Sequence, residues 1–315
     1  MGNKCCRQAE VLDTSYELTI HIPQHRYINK GKLVEESKIS RSTYKMYDTI
    51  LQKEVTCKKI KITKRLRAKR EVNILQQLNS PFFFPEFSDF SEDEEFYNIY
   101  YSFIPGVDLF TYLFKNIDKI SVKEIKIFIK KMLDCLIELR RKNLCHLDIK
   151  FENYIFNKDE NKVILIDFES AHSYPKTNAL KTLSTYVGTK SYVAPEIWLN
   201  YYHRNSDVWS VAVCLWTALT LQYPFGVSKL TKHTDNLETK IRRKYIFPKV
   251  RHTILMDELN FDDDLKDFFI KAFYYSPSKR MTLQQMINHN WLRFSFALQL
   301  AIKTINLPIT SGITQ

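Results

Sequence analysis

A chain of 315 residues, 44% hydrophobic and 26% charged, has the make-up of a soluble globular protein with room for one large domain or two smaller ones. No apolar run approaches the roughly 20 residues of a membrane-spanning helix, and the polar start does not read as a secretory signal. The formal net charge of +12 suits nucleic acid, an anionic membrane or an acidic partner without choosing among them, while the six cysteines follow neither a disulfide framework nor a zinc pattern and point to a reducing compartment.

Met1-Gly2-Asn3-Lys4-Cys5-Cys6-Arg7 has the form of a lipidation signal. Loss of Met1 exposes Gly2 to myristoylation, although Cys6 stands where the usual pattern has Ser or Thr. One myristoyl chain binds membranes only at about 10⁴ M⁻¹, so a second anchor is needed, and Cys5 and Cys6 are placed for palmitoylation. The plainer reading is a tip that happens to start Met-Gly. The expectation is a cytoplasmic protein associated with the membrane through its N-terminus.

Residues 8–30 carry no assignable pattern. From Leu33 to Ile62, short β-branched and aromatic runs read as strands, with Lys58 inside Glu54–Ile60. Arg70–Leu78 reads as a helix with Val72, Leu75 and Leu78 on its buried face and Glu71 beside them. Lys58–Arg70 holds eight basic residues. Such a run is usually a solvated face; near an anionic leaflet each Lys or Arg adds about 1 kcal/mol, and the lack of interleaved aromatics disfavours nucleic acid. Phe96–Phe103 reads as a strand leading into Ile104-Pro105-Gly106. Residues 122–142 form a helix with Ile125, Phe128, Ile129, Met132, Leu133 and Leu136 on one face.

The densest chemistry lies in His146–Glu169. Tyr154–Phe156 and Val163–Ile166 are β-prone, and the polar stretch between them predicts a hairpin. Asn153 precedes the first strand and Asp167 follows the second, so both fall at the open end, within reach of Asp148. Asp and Asn at strand ends are ordinary turn formers one at a time. Together with Lys150 they make an oxygen-rich site suited to a hard divalent cation, with a carboxylate left over for proton work.

His146-Leu-Asp-Ile-Lys-Phe-Glu-Asn153 and Asp167-Phe168-Glu169 resemble the catalytic and metal-binding loops of eukaryotic protein kinases, H-x-D-x-K-x-x-N and D-F-G. Gly188-Thr-Lys-Ser-Tyr-Val-Ala-Pro-Glu196 resembles the Ser/Thr-kinase stretch G-T-x-x-Y-x-A-P-E, and the resemblance covers roughly residues 33–291. It implies an α+β, bilobal fold, with a β-rich lobe over 31–103, a helical lobe over 104–292, an extension before and a tail from 293. It also implies ATP and Mg2+ as cofactors and protein hydroxyls as substrates. By that likeness Asp148 accepts the hydroxyl proton, Lys150 steadies the moving phosphoryl group, and Asn153 and Asp167 hold magnesium. Lys58 grips the ATP phosphates with Glu71 as its partner. Tyr101 is the gatekeeper, Ser102 and Ile104 offer backbone bonds to adenine, Asp108 meets the ribose, and Ile155 lines the nucleotide pocket. Thr189 bonds Asp148 and Lys150, Asp207 braces the catalytic loop, and Glu196 pairs with Arg280 as scaffold.

Three positions depart from the family pattern. Glu36, Lys38 and Arg41 stand where the phosphate-covering loop has glycines, Glu169 replaces the glycine of D-F-G, and Leu147 replaces the arginine of H-R-D. That arginine ordinarily reads a phosphorylated activation segment, so Thr185, at the usual site, lacks its local partner. The expectation is an atypical, slow Ser/Thr kinase tethered to a membrane. Its alternatives are a pseudokinase scaffold and, from charge alone, a nucleic-acid binder. No oligomeric state is assigned.

Overall fold

Alternating β-branched and aromatic residues build an antiparallel sheet in the first part of the chain. The computed structural model of the protein describes residues 26–32, 42–174, 179–225, 256, 257 and 259–293. Five strands, β1 (Tyr27–Lys32), β2 (Thr43–Asp48), β3 (Lys53–Lys61), β4 (Phe87–Glu92) and β5 (Phe96–Ser102), lie in the order β1-β2-β3-β5-β4. Side chains alternate across the sheet. Val55 and Cys57 pack with Tyr100 in a small cluster covered by Tyr27, Tyr44 and Met46, while Thr56 and Lys58, also buried, take the alternate positions.

The sheet starts earlier than the sequence suggested, because β1 falls within residues 8–30 and their immediate neighbours. What holds it is long-range. Tyr27 stacks on Tyr100 with ring centroids 3.8 Å apart, and Arg26 bridges the buried Asp48 at 2.8 Å and Asp89 at 2.6 Å.

Helix α1 (Arg65–Gln77) also starts earlier, five residues before its expected first residue, and absorbs the end of the basic run. It has no acidic residue in its first turn and no side-chain cap. Basic residues there oppose the helix dipole, so burial of Ala68, Val72, Ile74 and Leu75 holds it rather than its terminus.

The two-residue strand β6 (Val107–Asp108) leads into α2 (Leu109–Lys115) and α3 (Val122–Arg141). A capping box between Ser121 and Glu124 starts α3, whose buried stripe runs from Ile125 to Leu139. The short strand β7 (Leu144–Cys145) delivers the chain to the catalytic-loop segment, and β8 (Tyr154–Asn157) and β9 (Lys162–Leu165) form the expected hairpin. Short strands β10 (His172–Ser173) and β11 (Lys181–Thr182) pair with β7 and with β12 (Tyr201–Tyr202), which follows α4 (Pro195–Trp198).

Helix α5 (Ser206–Thr220) is buried on every side from Ser206 to Ala218, as a helix apolar all round must be. Helices α6 (Asp263–Ala272) and α7 (Leu283–Ile287) also belong to this second, helical lobe. One core cluster runs from Ile60 and α1 through the hairpin to Leu292, so the two lobes of this α+β fold share apolar packing.

Gly2, Cys5, Cys6, Glu36, Lys38 and Arg41 lie outside the described residues. Among the described residues no helix is long and apolar enough to cross a membrane.

Candidate active site

The hairpin sets the frame. Tyr154 pairs with Leu165, and the Ile166 amide donates to the Asn153 carbonyl at 2.9 Å, which puts Asn153 and Asp167 side by side at the open end. The Asn153 Nδ2 donates to the Asp148 carbonyl at 2.7 Å and lies 3.3 Å from its Oδ2. Its amide nitrogen is thus committed to the loop, and Oδ1 is the atom left for a cation.

Asp148 sits at the centre of a second set of contacts. The Thr189 hydroxyl donates to its Oδ1 at 2.7 Å, and the Lys150 ammonium lies 3.3 Å from its Oδ2 and 3.0 Å from the Thr189 oxygen. Gly188 makes this approach possible. Its φ is +81°, and a Cβ built there would stand 2.3 Å from the Leu147 carbonyl oxygen, so only glycine lets the two segments touch.

The loop carrying Asp148 is braced from below. The His146 and Leu147 amides donate to the two oxygens of Asp207 at 2.9 and 2.8 Å. Burial pushes the Asp207 carboxyl up, while His146 and these two amide bonds favour its anion. The clamp holds Leu147 at φ +65°, a conformation that costs a branched side chain about 1–2 kcal/mol. The His146 Nδ1 accepts from the Asp148 amide at 3.3 Å, which leaves Nε2 to donate to the Ile166 carbonyl at 3.1 Å and ties the loop to the hairpin.

Across the cleft, β3 and α1 bring Lys58 and Glu71 together. The Lys58 Nζ is 2.9 Å from both Glu71 oxygens, 2.5 Å from the Asp167 Oδ1 and 3.8 Å from the Glu169 Oε2. One buried ammonium therefore serves three carboxylates. Burial works against the charged form of Lys58, but Asp167 and Glu71 outweigh it and raise its pKa. For Asp167 burial is likewise outweighed, by the charge and hydrogen bond of Lys58, and its pKa falls to about 2. Glu71 goes the other way, to about 7, because burial and the neighbouring Asp167 and Glu169 charges exceed the pull of Lys58.

Asp167 itself has φ +64°, and Phe168 behind it is fully buried, edge-on to Phe84 and His146 with centroids at 5.8 and 5.3 Å. Glu169, in the turn Phe168–Ser170, reaches Arg67 on α1, with Oε1 2.6 Å from Nη1. The sequence pattern marks Glu169 as the replacement for the D-F-G glycine but does not indicate this partner. The available signal was spacing, because Arg67 lies one helical turn before Glu71.

The residues expected around the nucleotide base are spread along the edge joining the lobes. Tyr101 pairs with Thr56 across the sheet. Ser102 is the last residue of β5, and both its amide and its hydroxyl are joined to Glu86, at 2.8 and 3.0 Å. Ile104 is half-buried in the following turn, and Ile155 in β8 lies opposite Asp108. Asp108, expected at the ribose, has a structural role in α2. Its carboxylate is the N-cap of α2, accepting from the Thr111 amide at 2.8 Å, and the residue is only 3% exposed. Gly106, at φ +134°, permits the turn before it to lie on the hairpin, where a Cβ would come within 2.3 Å of the Phe156 carbonyl oxygen.

The donor set fits magnesium. Among the described residues no three His, Cys, Asp or Glu side chains cluster so as to hold a metal alone. Asp167 and the Asn153 Oδ1 supply one carboxylate and one amide oxygen, and Mg2+ characteristically takes one or two protein carboxylates and completes its shell with phosphate oxygens and water.

Comparison with known proteins gives a consistent result. Residues 37–292 match the model of the protein kinase domain. The chain is 27% identical over 244 residues to calcium-dependent protein kinase 5 of Plasmodium falciparum, covering 76% of this chain and 40% of that protein. It is 26% identical over 285 residues to the calcium/calmodulin-dependent protein kinase cmkA of Emericella nidulans, covering 84% and 66%. To the probable serine/threonine-protein kinase MARK-B of Dictyostelium discoideum it is 28% identical over 249 residues, covering 76% and 33%. The chain thus spans between a third and two thirds of the length of these relatives.

Proposed function

Because the chain belongs to the protein kinase family, we propose that it is a serine/threonine protein kinase, moving the γ-phosphoryl group of ATP to hydroxyls of protein substrates. The observation that carries this reading is the pair of contacts on opposite sides of the cleft, Lys58 with Glu71 and Asp167, and Thr189 with Asp148 and Lys150. Both sets converge on the open end of one hairpin.

Each side chain has a role that its surroundings suit. Asp148, oriented by the Thr189 hydroxyl, accepts the substrate proton, and Lys150 stands beside the same point. Lys58, already desolvated and held by Glu71, offers its ammonium to phosphate oxygens without further reorganisation. Asn153 and Asp167 would hold magnesium, and the ion, when bound, bridges and neutralises the triphosphate oxygens. Ser102, Ile104 and Ile155 lie along the edge where a base would sit.

Glu152 favours basic substrates. It is part-buried in the catalytic loop, its Oε2 has no hydrogen-bond partner, and burial raises its carboxyl pKa. A cationic side chain of a substrate docking beside the loop would be drawn toward this carboxyl group. Glu36, Lys38 and Arg41 in place of glycines are the reason for expecting slow turnover. Membrane tethering through acylated Gly2, Cys5 and Cys6 is supported by the exposed Lys61, Lys64, Arg65 and Lys69 around the start of α1, which add attraction to an anionic surface.

The second reading, a pseudokinase scaffold, has the glycine-free loop and Glu169 in its favour, the latter standing where the family pattern has glycine beside the metal-binding aspartate. A thermal shift on adding Mg·ATP, followed by phosphate transfer to a basic protein, separates the two. The kinase reading expects a shift, and transfer that falls about 10²–10⁴-fold in Asp148→Asn. Transfer that is absent in the wild type, or unchanged in Asp148→Asn, refutes it.

A further inference from the structure

We infer that Glu169 is a positioning residue: through Arg67 it holds α1, and with it Glu71 and Lys58, in the phosphoryl-transfer arrangement without a phosphate on the activation segment. The inference rests on the kinase reading and deepens it.

The first support is the state of α1. In protein kinases the Lys–Glu pair must be in place, and activation-loop phosphorylation is one means of placing the helix that carries the glutamate. Here that helix has an uncapped N-terminus with no acidic residue in its first turn, so its position depends on what it packs against. It packs against the turn Phe168–Ser170. Glu169 in that turn meets Arg67 at 2.6 Å, one turn before Glu71, and a second tie joins Arg70 to the His172 Nε2 at 2.9 Å. The His172 Nδ1 is 2.8 Å from the Ser170 carbonyl and donates to it, so Nε2 is free to accept from Arg70.

A second support is the missing phosphate reader. Leu147, at the position where kinases carry an arginine, is 2% exposed, apolar and locked by Asp207, while Thr185 is exposed. A carboxylate supplied from the metal-binding loop answers the cation on α1 from inside the site. Geometry also argues against Glu169 as a competitor for Lys58. The ammonium is 2.9 Å from Glu71 and 2.5 Å from Asp167 but 3.8 Å from Glu169, whose short contact is Arg67.

Replacing glycine costs the turn nothing. Asp167 has a positive φ, but Glu169 is not among the residues that do. A side chain there removes conformations that glycine would sample and narrows the alternatives open to the segment bearing Asp167.

The test uses the full chain with Glu169→Gln, Arg67→Gln, the double variant, Arg67→Lys and Glu169→Gly. Backbone hydrogen exchange of residues 65–77 is read without nucleotide, with the hairpin 154–165 as internal control for folding, and kcat and KM for ATP are measured alongside. The expected result is about fivefold faster exchange of α1 in each glutamine variant, an unchanged hairpin, and a matching fall in kcat/KM. The double variant should be no worse than either single one, Arg67→Lys should be milder, and Glu169→Gly should be the most affected. Unchanged α1 exchange, additive single effects, or activity that rises in Glu169→Gln would overturn the inference. Should every variant and the wild type lack transfer, the kinase reading fails while exchange still reports on the tie.

Discussion

Arg280→Ala removes the side chain that joins three parts of the helical lobe. The Arg280 guanidinium is fully buried and all its donors are used: Nη1 and Nη2 reach the Glu196 oxygens at 2.8 and 2.9 Å, and Tyr274, Asn205 and Tyr275 carbonyls accept at 3.1, 3.0 and 3.3 Å. It also lies 5.2 Å from the Trp209 ring centroid. Truncation leaves Glu196 buried with the Ser206 hydroxyl, 2.7 Å away, as its remaining side-chain partner and takes a donor from each of the three carbonyls. Breaking such a pair from one side costs about 3–5 kcal/mol, a large share of the roughly 5–15 kcal/mol that holds a typical domain folded. Arg280→Lys should fall between, since an ammonium keeps the charge but not the two-pronged geometry. Urea unfolding followed by tryptophan fluorescence measures the difference. The pH dependence has a defined sign. Burial raises the Glu196 pKa but Arg280 and Ser206 outweigh it, so the carboxyl titrates below its ordinary value of 4.5. The pair's contribution is complete above that value and is lost as pH falls through the depressed one, so the gap between wild type and Arg280→Ala should narrow only in acid. A loss under about 1 kcal/mol at pH 7, or a gap that widens in acid, would refute this reasoning.

Three further outcomes follow from particular contacts. Thr185→Ala should leave phosphate transfer within about twofold of wild type, because the catalytic loop offers Leu147 where a phosphate-binding cation would stand; loss of a measurable wild-type activity counts against it. Gly188→Ala should lower stability by about 1–2 kcal/mol and reduce transfer, since the methyl meets the Leu147 carbonyl and separates Thr189 from Asp148; a neutral variant in both assays contradicts the close approach. Glu152→Gln should erase roughly tenfold of any preference for arginine-containing peptides over alanine-substituted ones while leaving kcat near wild type, and an unchanged preference removes Glu152 from substrate recognition.

How much was legible in the sequence differs from element to element. The hairpin around residues 157–162 and the face of α3 repeat over a few residues, and both form where their periods indicate. Strand β1 and the first turns of α1 were missed because neither is held by local signals. Tyr27 needs Tyr100, Arg26 needs Asp89, and α1 begins with basic residues against its dipole because its apolar face is buried. That Asp108 caps Leu109–Lys115 was likewise not drawn from the sequence, although an aspartate directly ahead of a helix is the signal for it.

The chemical groups of the site and their local frame follow from neighbouring residues, because a hairpin brings Asn153 and Asp167 to its open end and a tight loop sets Asp148 within reach of them. How charge is shared around Lys58 depends on segments that meet through long-range packing. Arg67 and Glu169 are 102 residues apart, and they meet because α1 packs on the turn after Asp167. Side-chain periodicity records which face of a helix is buried; it carries no information about which distant carboxylate that burial brings within reach of the face's edge.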